Sequence, residues 1–390
     1  MASFQGQDIR LDILRKRAFN YRWATLPQDV IPLTAADPDF PVAPVITEAI
    51  KEYISSGIFS YGPAEGLLEF REAIAKWYFN TKNVSYSPEY ILPVNSAAYG
   101  LFVAAEAFLS AGDNALIFEP VDFLFRKSIE NAGATVLCSP LNKEDGTIDR
   151  EHALSIINEK TKVIFICNPN NPLGKTVTKA DLIWLGELAI KHNCIIISDE
   201  IWADINYDNS FISIASISED VKKITITITG LSKNFALAGL RIGYMCMADK
   251  DIYDKVFVQS KHKSTAHGIS SVSQIAGIAA LNHAKPWLDE FMVHLHKMKD
   301  YSEERLKNYS FLQTNQPNAT YLLFPKIIGL NHTSEELWQL ILDKCKLALV
   351  PGGKQWFEQS SEGHLRICYA TSFDILKEAF DRLDTVEKYL

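Results

Sequence analysis

The sequence predicts an α/β protein with a large domain built on a mostly parallel sheet flanked by helices, and a smaller α+β domain. Three observations carry that reading. Between residues 96 and 249, short apolar runs alternate with amphipathic helical stretches, the pattern of successive βαβ units. After residue 249 the texture turns helical, with short strand-like pieces near the end. The 390 residues exceed one typical domain, and 47% hydrophobic residues, with 21 Phe, 15 Tyr and 7 Trp, supply a sizeable core.

The elements follow in order. The first forty-odd residues are irregular, with a Pro-rich stretch from Ala35 to Pro44. A helix then carries Val45, Ile46, Ala49, Ile50, Tyr53 and Ile54 on one face. A turn at Tyr61-Gly-Pro63 leads to a second helix with Phe70, Ile74 and Trp77 as its apolar positions. A helix opening at Asn95-Ser-Ala-Ala-Tyr-Gly100 passes through Ala104 and Phe108 and is expected to stop at Gly112-Asp113. Next come strand 115–118, helix 123–131, strand 134–138, helix 151–158, strand 162–167, helix 179–191 and strand 194–198. Strands 224–229 and 241–247 complete the series. Pro286 suits the first position of a long helix reaching about residue 308. Thr333 with Glu336 forms a capping box ahead of Leu337, Leu340 and Ile341. Strand-like pieces at 320–324, 347–350 and 364–370, then a last helix, fill the smaller domain. The expected division gives 46–284 to the large domain, and 1–45 with 285–390 to a discontinuous small one.

Bulk properties narrow the function. A net charge of −8 without basic runs speaks against nucleic acid or an anionic membrane surface. No stretch has the apolar length to span a bilayer. The opening Met-Ala-Ser-Phe-Gln-Gly lacks a basic segment followed by an apolar one, so no secretory signal is expected. The six cysteines are scattered without a Cys-x-x-Cys pair, which fits free thiols in a reducing cytoplasm and neither disulfides nor a metal site.

Three strand-like runs end on polar residues. Lys162–Cys167 runs into Asn168-Pro-Asn-Asn-Pro-Leu-Gly174, Cys194–Ser198 into Asp199-Glu200, and the run from Ile224 into Gly-Leu-Ser-Lys233. If those strands are parallel, Asn171, Asp199 and Lys233 converge at their carboxyl ends, where open α/β sheets hold ligands. An amine, a carboxylate and a cationic anchor are what pyridoxal phosphate chemistry needs. A lysine just past a strand can form a Schiff base when desolvation weakens its hold on a proton. Alone, it would be a surface lysine. Ser232 and Thr229 could donate to a phosphate, and Arg241, eight residues on, could add a charge-assisted contact. Asp199 follows an apolar run and needs a cationic partner, which a protonated pyridine nitrogen supplies; the bland alternative is a helix N-cap. Asn171 could bond a ring hydroxyl and a substrate carboxylate. The helix opening at Ser96-Ala97 offers free amides to a phosphate, although an ordinary cap would look the same. Arg366, in His364-Leu-Arg-Ile-Cys-Tyr369, is a charge centred in an apolar strand; it is the candidate for a substrate α-carboxylate, with a structural ion pair as competitor.

Together these residues resemble the fold-type I pyridoxal-phosphate enzymes, class I/II aminotransferases. The motifs span nearly the whole chain: Asp37-Pro-Asp-Phe-Pro, Tyr61-Gly, the Asn171 turn, Ser198-Asp-Glu-Ile, Ser232-Lys-Asn-Phe with Leu240-Arg-Ile-Gly-Tyr, and Leu365-Arg366. Asp37-Pro-Asp-Phe, Gly57 to Gly62, and Lys285-Pro-Trp-Leu288 are also similar to the cystathionine β-lyase branch. The resemblance implies a seven-stranded sheet and an internal aldimine on Lys233, which also shuttles a proton. It pairs Asp199 with the pyridine nitrogen and Asn171 with the ring hydroxyl. It places Ser96, Ala97, Ser232 and Arg241 at the phosphate, Trp202 beside the ring, and Ala36, Asn171 and Arg366 at the substrate. Tyr61 would reach the phosphate across a homodimer interface.

Five positions depart from the family pattern. Trp202 replaces a tyrosine, so it can donate but not accept. Asp122 stands where an aromatic usually stacks on the ring, leaving Phe123 or Phe125 to stack instead, or Asp122 itself to contact cofactor or substrate. Gly230, Ser96 and Ala36 replace a serine and two glycines. The function expected is amino transfer between an L-amino acid and a 2-oxo acid. The alternative is a C–S β-lyase releasing pyruvate, ammonia and a thiol; a non-catalytic module is opposed by Lys233, Asp199 and Arg241.

Overall fold

Short strands buried along nearly their whole length build a central sheet with helices packed on both faces. The computed structural model describes residues 4–142, 145–266 and 268–390; Met1–Ser3, the tip of the expected N-terminal share of the small domain, lie outside the described residues. The sheet's strands are β1 (Ile91–Val94), β2 (Asn114–Glu119), β3 (Thr135–Pro140), β4 (Thr161–Cys167), β5 (Ile195–Asp199), β6 (Thr225–Gly230) and β7 (Gly243–Cys246). Their order is β1-β7-β6-β5-β4-β2-β3. Only β7 runs against the others, pairing antiparallel with both β1 and β6. The seven-stranded, mostly parallel sheet is therefore as expected.

Side-chain alternation with period two decides which helix covers which face. Ile117, Phe165, Ile197 and Ile226 point to one face and bury against helix Ala97–Phe108. Leu116, Phe118, Ile164, Ile166 and Ile196 point to the other and meet Leu182, Leu185 and Ala189 of helix Lys179–Lys191. By the same alternation, Asp199 shares the face of Ile197.

Differences from the sequence expectation have local causes. No strand is expected at Ile91–Val94 because Pro93 cannot donate to a ladder. It is tolerated because β1 is an edge strand with a single neighbour. Helix Ala97–Phe108 ends four residues before Gly112, at an extended Leu109; Gly112, with φ of 97°, turns the chain into β2 instead of capping the helix. The last strand of the series starts at Gly243, not 241, because Arg241 sits at φ 54° after the tight turn Ala238–Leu240.

The C-terminal portion packs helices Lys285–Leu306, Ser334–Cys345 and Phe373–Leu383 around a small antiparallel sheet. Leu365–Cys368 is its middle strand, between Leu322–Leu323 and Val350–Pro351. The Thr333–Glu336 capping box is present, with Thr333 N–H donating to Glu336 (2.8 Å) and Glu336 N–H to Thr333 (3.2 Å). Ile31–Pro32 pairs in parallel with Leu347–Ala348, and Phe4 and Phe40 pack on Phe291 and His294. The N-terminal segment is thus tied to the C-terminal portion. All six cysteines are free, and all but the half-buried Cys138 are buried.

Candidate active site

Strands β4, β5 and β6 lie side by side and parallel, with Cys167 opposite Asp199 and Asp199 opposite Ile228. Their carboxyl ends are therefore level. Past β4, the Asn-Pro-Asn-Asn-Pro turn is held by its own amides. Asn168 Oδ1 accepts from Val177 N–H (2.9 Å), and Asn170 donates to the Pro120 carbonyl (3.1 Å). These bonds leave Asn171 directed at the strand tips. Asp199 ends β5 and is buried, its Oδ1 accepting, among the described residues, only the Ile201 N–H (3.0 Å). Burial, with a contribution from the charge of Asp122, pushes its carboxyl up to about 7.

Lys233 follows β6. Its loop is fixed by Asn234, which donates to Asp204 (2.7 Å); Asp204 in turn holds Lys82 (2.6 Å). The Lys233 ammonium donates to the Ala36 carbonyl (2.7 Å) and lies 5.4 Å from the centre of the Trp202 ring. Burial lowers the lysine's pKa, with Asp37 as the main opposing charge. Trp202 is fully buried, edge-on to Tyr321 at 4.6 Å, so it forms a wall beneath the amine. Asp37 is held by Asn20 (3.0 Å), and burial raises its carboxyl.

Arg366 is buried in the middle strand of the small sheet and reaches across to the Asn171 turn. Its Nη1 donates to Asn171 Oδ1 (3.0 Å) and its Nη2 to the Thr34 carbonyl (3.1 Å). Its Nε is buried without a partner among the described residues, and Phe357 lies 5.0 Å below the guanidinium. Asn171 Nδ2 donates to Asp122 Oδ2 (3.1 Å). Burial raises the Asp122 carboxyl, opposed by the Leu124 N–H and by Arg366. Neither aromatic alternative replaces Asp122: Phe125 is locked edge-on to Phe165, and Phe123 packs edge-on to Trp356.

A third group gathers at the start of helix Ala97–Phe108. A Cβ at Gly243 would overlap the backbone of Ser96 and Ala97, so β7 runs in contact with the helix N-terminus. Arg241 stands two residues earlier, exposed, with no ion pair among the described residues. Ser96 caps the helix by accepting the Tyr99 N–H (3.0 Å), which leaves the amides of Ala97 and Ala98 at its open end. Ser232 is half-buried beside Lys233. Thr229 does not join this group: its hydroxyl donates to the Glu200 carbonyl (3.1 Å). Tyr61 is also apart, 89% exposed and neighboured by Tyr53, Phe59 and Ser270–Val272.

The structure thus brings together Lys233, Asp199, Asn171, Trp202, Ala36 and Arg366, and sets Ser96, Ala97 and Arg241 beside one another. Asp37, Tyr321 and Phe357 are site residues that sequence reasoning assigned no role. Of the three, Asp37 lay in a quoted motif, Asp37-Pro-Asp-Phe-Pro, beside a second acid, Asp39, but nothing in that motif showed its approach to Lys233. The donor set fits pyridoxal phosphate: an amine that loses its proton easily, a buried carboxyl awaiting a cation, and an uncompensated arginine beside a helix N-terminus.

The family model described as "Aminotransferase class I and II" matches residues 28–383. An aspartate aminotransferase of Pyrococcus abyssi is 32% identical over 364 residues, 92% of either chain. Cystathionine beta-lyase PatB of Bacillus subtilis is 30% identical over 360 residues, 91% of this chain and 92% of its own. A solved PLP-bound structure from Clostridium difficile 630 superposes with a TM-score of 0.88 at 28% identity, covering 96% of each chain.

Proposed function

The chain belongs to the class I and II aminotransferases and is a pyridoxal-phosphate-dependent aminotransferase; on that premise we propose how its residues divide the work. Bound pyridoxal phosphate supplies an electron sink for the charge that forms at the substrate α-carbon. Lys233 would hold the cofactor through Nζ, and the same atom is the group that would take and return the α-proton. A lowered pKa suits it to both tasks. Asp199 keeps a proton on the pyridine nitrogen, and Asn171 donates to the ring hydroxyl. Arg241, Ser232 and the amides at Ser96-Ala97 hold the phosphate. Arg366 takes the substrate α-carboxylate; its buried Nε has no partner among the described residues. Trp202 and the Ala36 carbonyl orient the amine from below and beside it.

The observation that carries this reading is buried Asp199, with a single hydrogen bond among the described residues and a carboxyl that charges readily only beside a cation. We also propose a homodimer in which Tyr61 reaches the partner's phosphate. Ile54, Ile58, Phe59 and Tyr61 are exposed together in the single chain, an apolar face that a second copy would cover. No helix among the described residues is long and apolar enough to cross a membrane, and a cytoplasmic enzyme is proposed.

The test is a screen of amino donors against 2-oxoglutarate and pyruvate, run beside an elimination assay with cystathionine. Amino transfer to the oxo acid is expected. Pyruvate and ammonia released from cystathionine without added oxo acid, and no transfer to either acceptor, would replace this reading with the lyase one.

A further inference from the structure

We propose that Asp122 is a positioning residue for substrate recognition: it fixes the Asn171 amide, and through it aims Arg366 at the incoming α-carboxylate. The inference rests on the reading of Arg366 given above. It starts from an asymmetry of hydrogen-bond chemistry. An amide can normally flip, because its oxygen and nitrogen are similar in shape. Between a carboxylate that only accepts and a guanidinium that only donates, it cannot. Asn171 lies between two such groups, with Nδ2 on Asp122 (3.1 Å) and Oδ1 on Arg366 (3.0 Å). Asp122 and Arg366 therefore fix the orientation of Asn171 together, and Asp122 supplies the half that does not depend on Arg366.

Asp122 is itself held from two sides. Its Oδ1 accepts the Leu124 N–H (3.1 Å) at the start of helix Leu124–Asn131. The next residue, Phe123, donates its N–H to the Trp356 carbonyl (3.0 Å). One helical turn on, Arg126 grips Glu358 through Nε (2.8 and 3.0 Å) and Nη2 (2.6 Å). Phe357, between Trp356 and Glu358, packs under the Arg366 guanidinium. One short segment thus pins both ends of the Asp122–Asn171–Arg366 chain. Glu358 adopts φ 71° and ψ 168°, a region otherwise reserved for glycine, so the surrounding contacts over-determine that segment.

Asp122→Asn is the sharpest probe, since it exchanges one acceptor for a donor at nearly constant shape. The new amide can keep its oxygen on Leu124 only by turning NH₂ toward Asn171. Asn171 must then set NH₂ against a donor on one side, so either its bond to residue 122 or its bond to Arg366 is lost. The KM for the amino acid and for 2-oxoglutarate should both rise about tenfold, with a smaller change in kcat. The rise in thermal midpoint that 2-oxoglutarate confers on the holoenzyme should shrink in parallel. Asp122→Ser, which still caps Leu124 but cannot reach Asn171, should repeat the effect if the asparagine variant folds poorly. In an Arg366→Ala background the Asp122 substitution should change KM by less than about twofold, because the chain it completes is gone. KM values within twofold of wild type for both variants, or a full effect persisting without Arg366, would overturn the proposal. Arg366→Ala with an unchanged KM would instead sink the carboxylate reading itself and the proposal with it.

Discussion

A carboxyl buried at a strand tip is costly to charge, and that cost is what gives Asp199 its meaning. Ile201 N–H is its one donor, and its carboxyl is raised to about 7 by burial. A protonated ring nitrogen would reverse that cost and hold the carboxylate charged. Asp199→Asn removes the charge while keeping the shape. Turnover in a steady-state transfer assay should fall by about 10² to 10³, whereas phosphate-dependent cofactor uptake should persist. A loss below tenfold would show that the carboxylate is not the ring's partner. Residues such as Asp199, Asn171 and Lys233 were legible in the sequence because each follows an apolar run whose burial could be inferred. Arg366 was legible for the same reason, flanked by Leu365 and Ile367, which are buried. Asp37 was not, since its approach to Lys233 depends on the path of an irregular loop, and loops carry no period to read. Trp202 was read as a hydrogen-bond donor; the structure gives it the face of a wall, set by packing against Tyr321.

At the scale of elements, the antiparallel turn from β6 to β7 positions the phosphate group of residues. Gly230 pairs with Gly243 in that ladder. A Cβ at Gly230 would overlap the Ile242 carbonyl, and one at Gly243 would overlap the Ser96 and Ala97 backbone. Glycine at 230, a departure from the serine of the family pattern, thus has a steric reason. Gly243→Ala should push β7 off the helix N-terminus and separate Arg241 from the Ser96-Ala97 amides. Cofactor affinity, followed by absorbance titration, should drop at least tenfold, with about 1–3 kcal/mol lost from stability. Gly239→Ala, whose Cβ would meet nothing within 4 Å, serves as the control and should alter neither. Equal effects at both positions would rule out the close-approach argument. The interior strands and helices of the βαβ series were predictable from alternating periods. β1 was hidden by Pro93, whose tolerance depends on edge position, a property of the assembled sheet and not of the segment.

At the scale of the molecule, two buried acids adjacent in sequence, Asp199 and Glu200, point to opposite faces of the sheet. Glu200 is fully buried and accepts from Ser213 (2.7 Å), Ser198 (3.2 Å) and Tyr78 (3.3 Å), yet burial still raises its carboxyl to about 7. The pairing of Ile31–Pro32 with Leu347–Ala348 supports the discontinuous small domain, and we propose the 46–284 boundary on that basis. Because both acids sit in the large domain so defined, its stability should carry their signature. Unfolded, each titrates near pH 4; folded and without cofactor, near 7. Between those values the folded chain binds more protons at these two sites than the unfolded one, so their contribution to stability falls as pH rises from about 4 to 7 and levels off above. That is the reverse of the contribution made by a salt-bridged carboxylate. Asp199→Asn removes one of the two contributions, so at pH 8 the cofactor-free variant should exceed the cofactor-free parent by on the order of 2 kcal/mol, with near equality at pH 4.5. Glu200→Gln should behave similarly but less strongly, because its carboxyl rises to about 7 from 4.5 and that of Asp199 from 3.8. Adding cofactor should erase the gap for Asp199→Asn, since the parent then carries a compensating cation, and should leave it for Glu200→Gln. Urea midpoints at the two pH values decide the matter: a cofactor-free Asp199→Asn gap that does not widen from pH 4.5 to 8 would refute the buried-acid account, and a gap that survives cofactor would refute the placement of the ring nitrogen at Asp199.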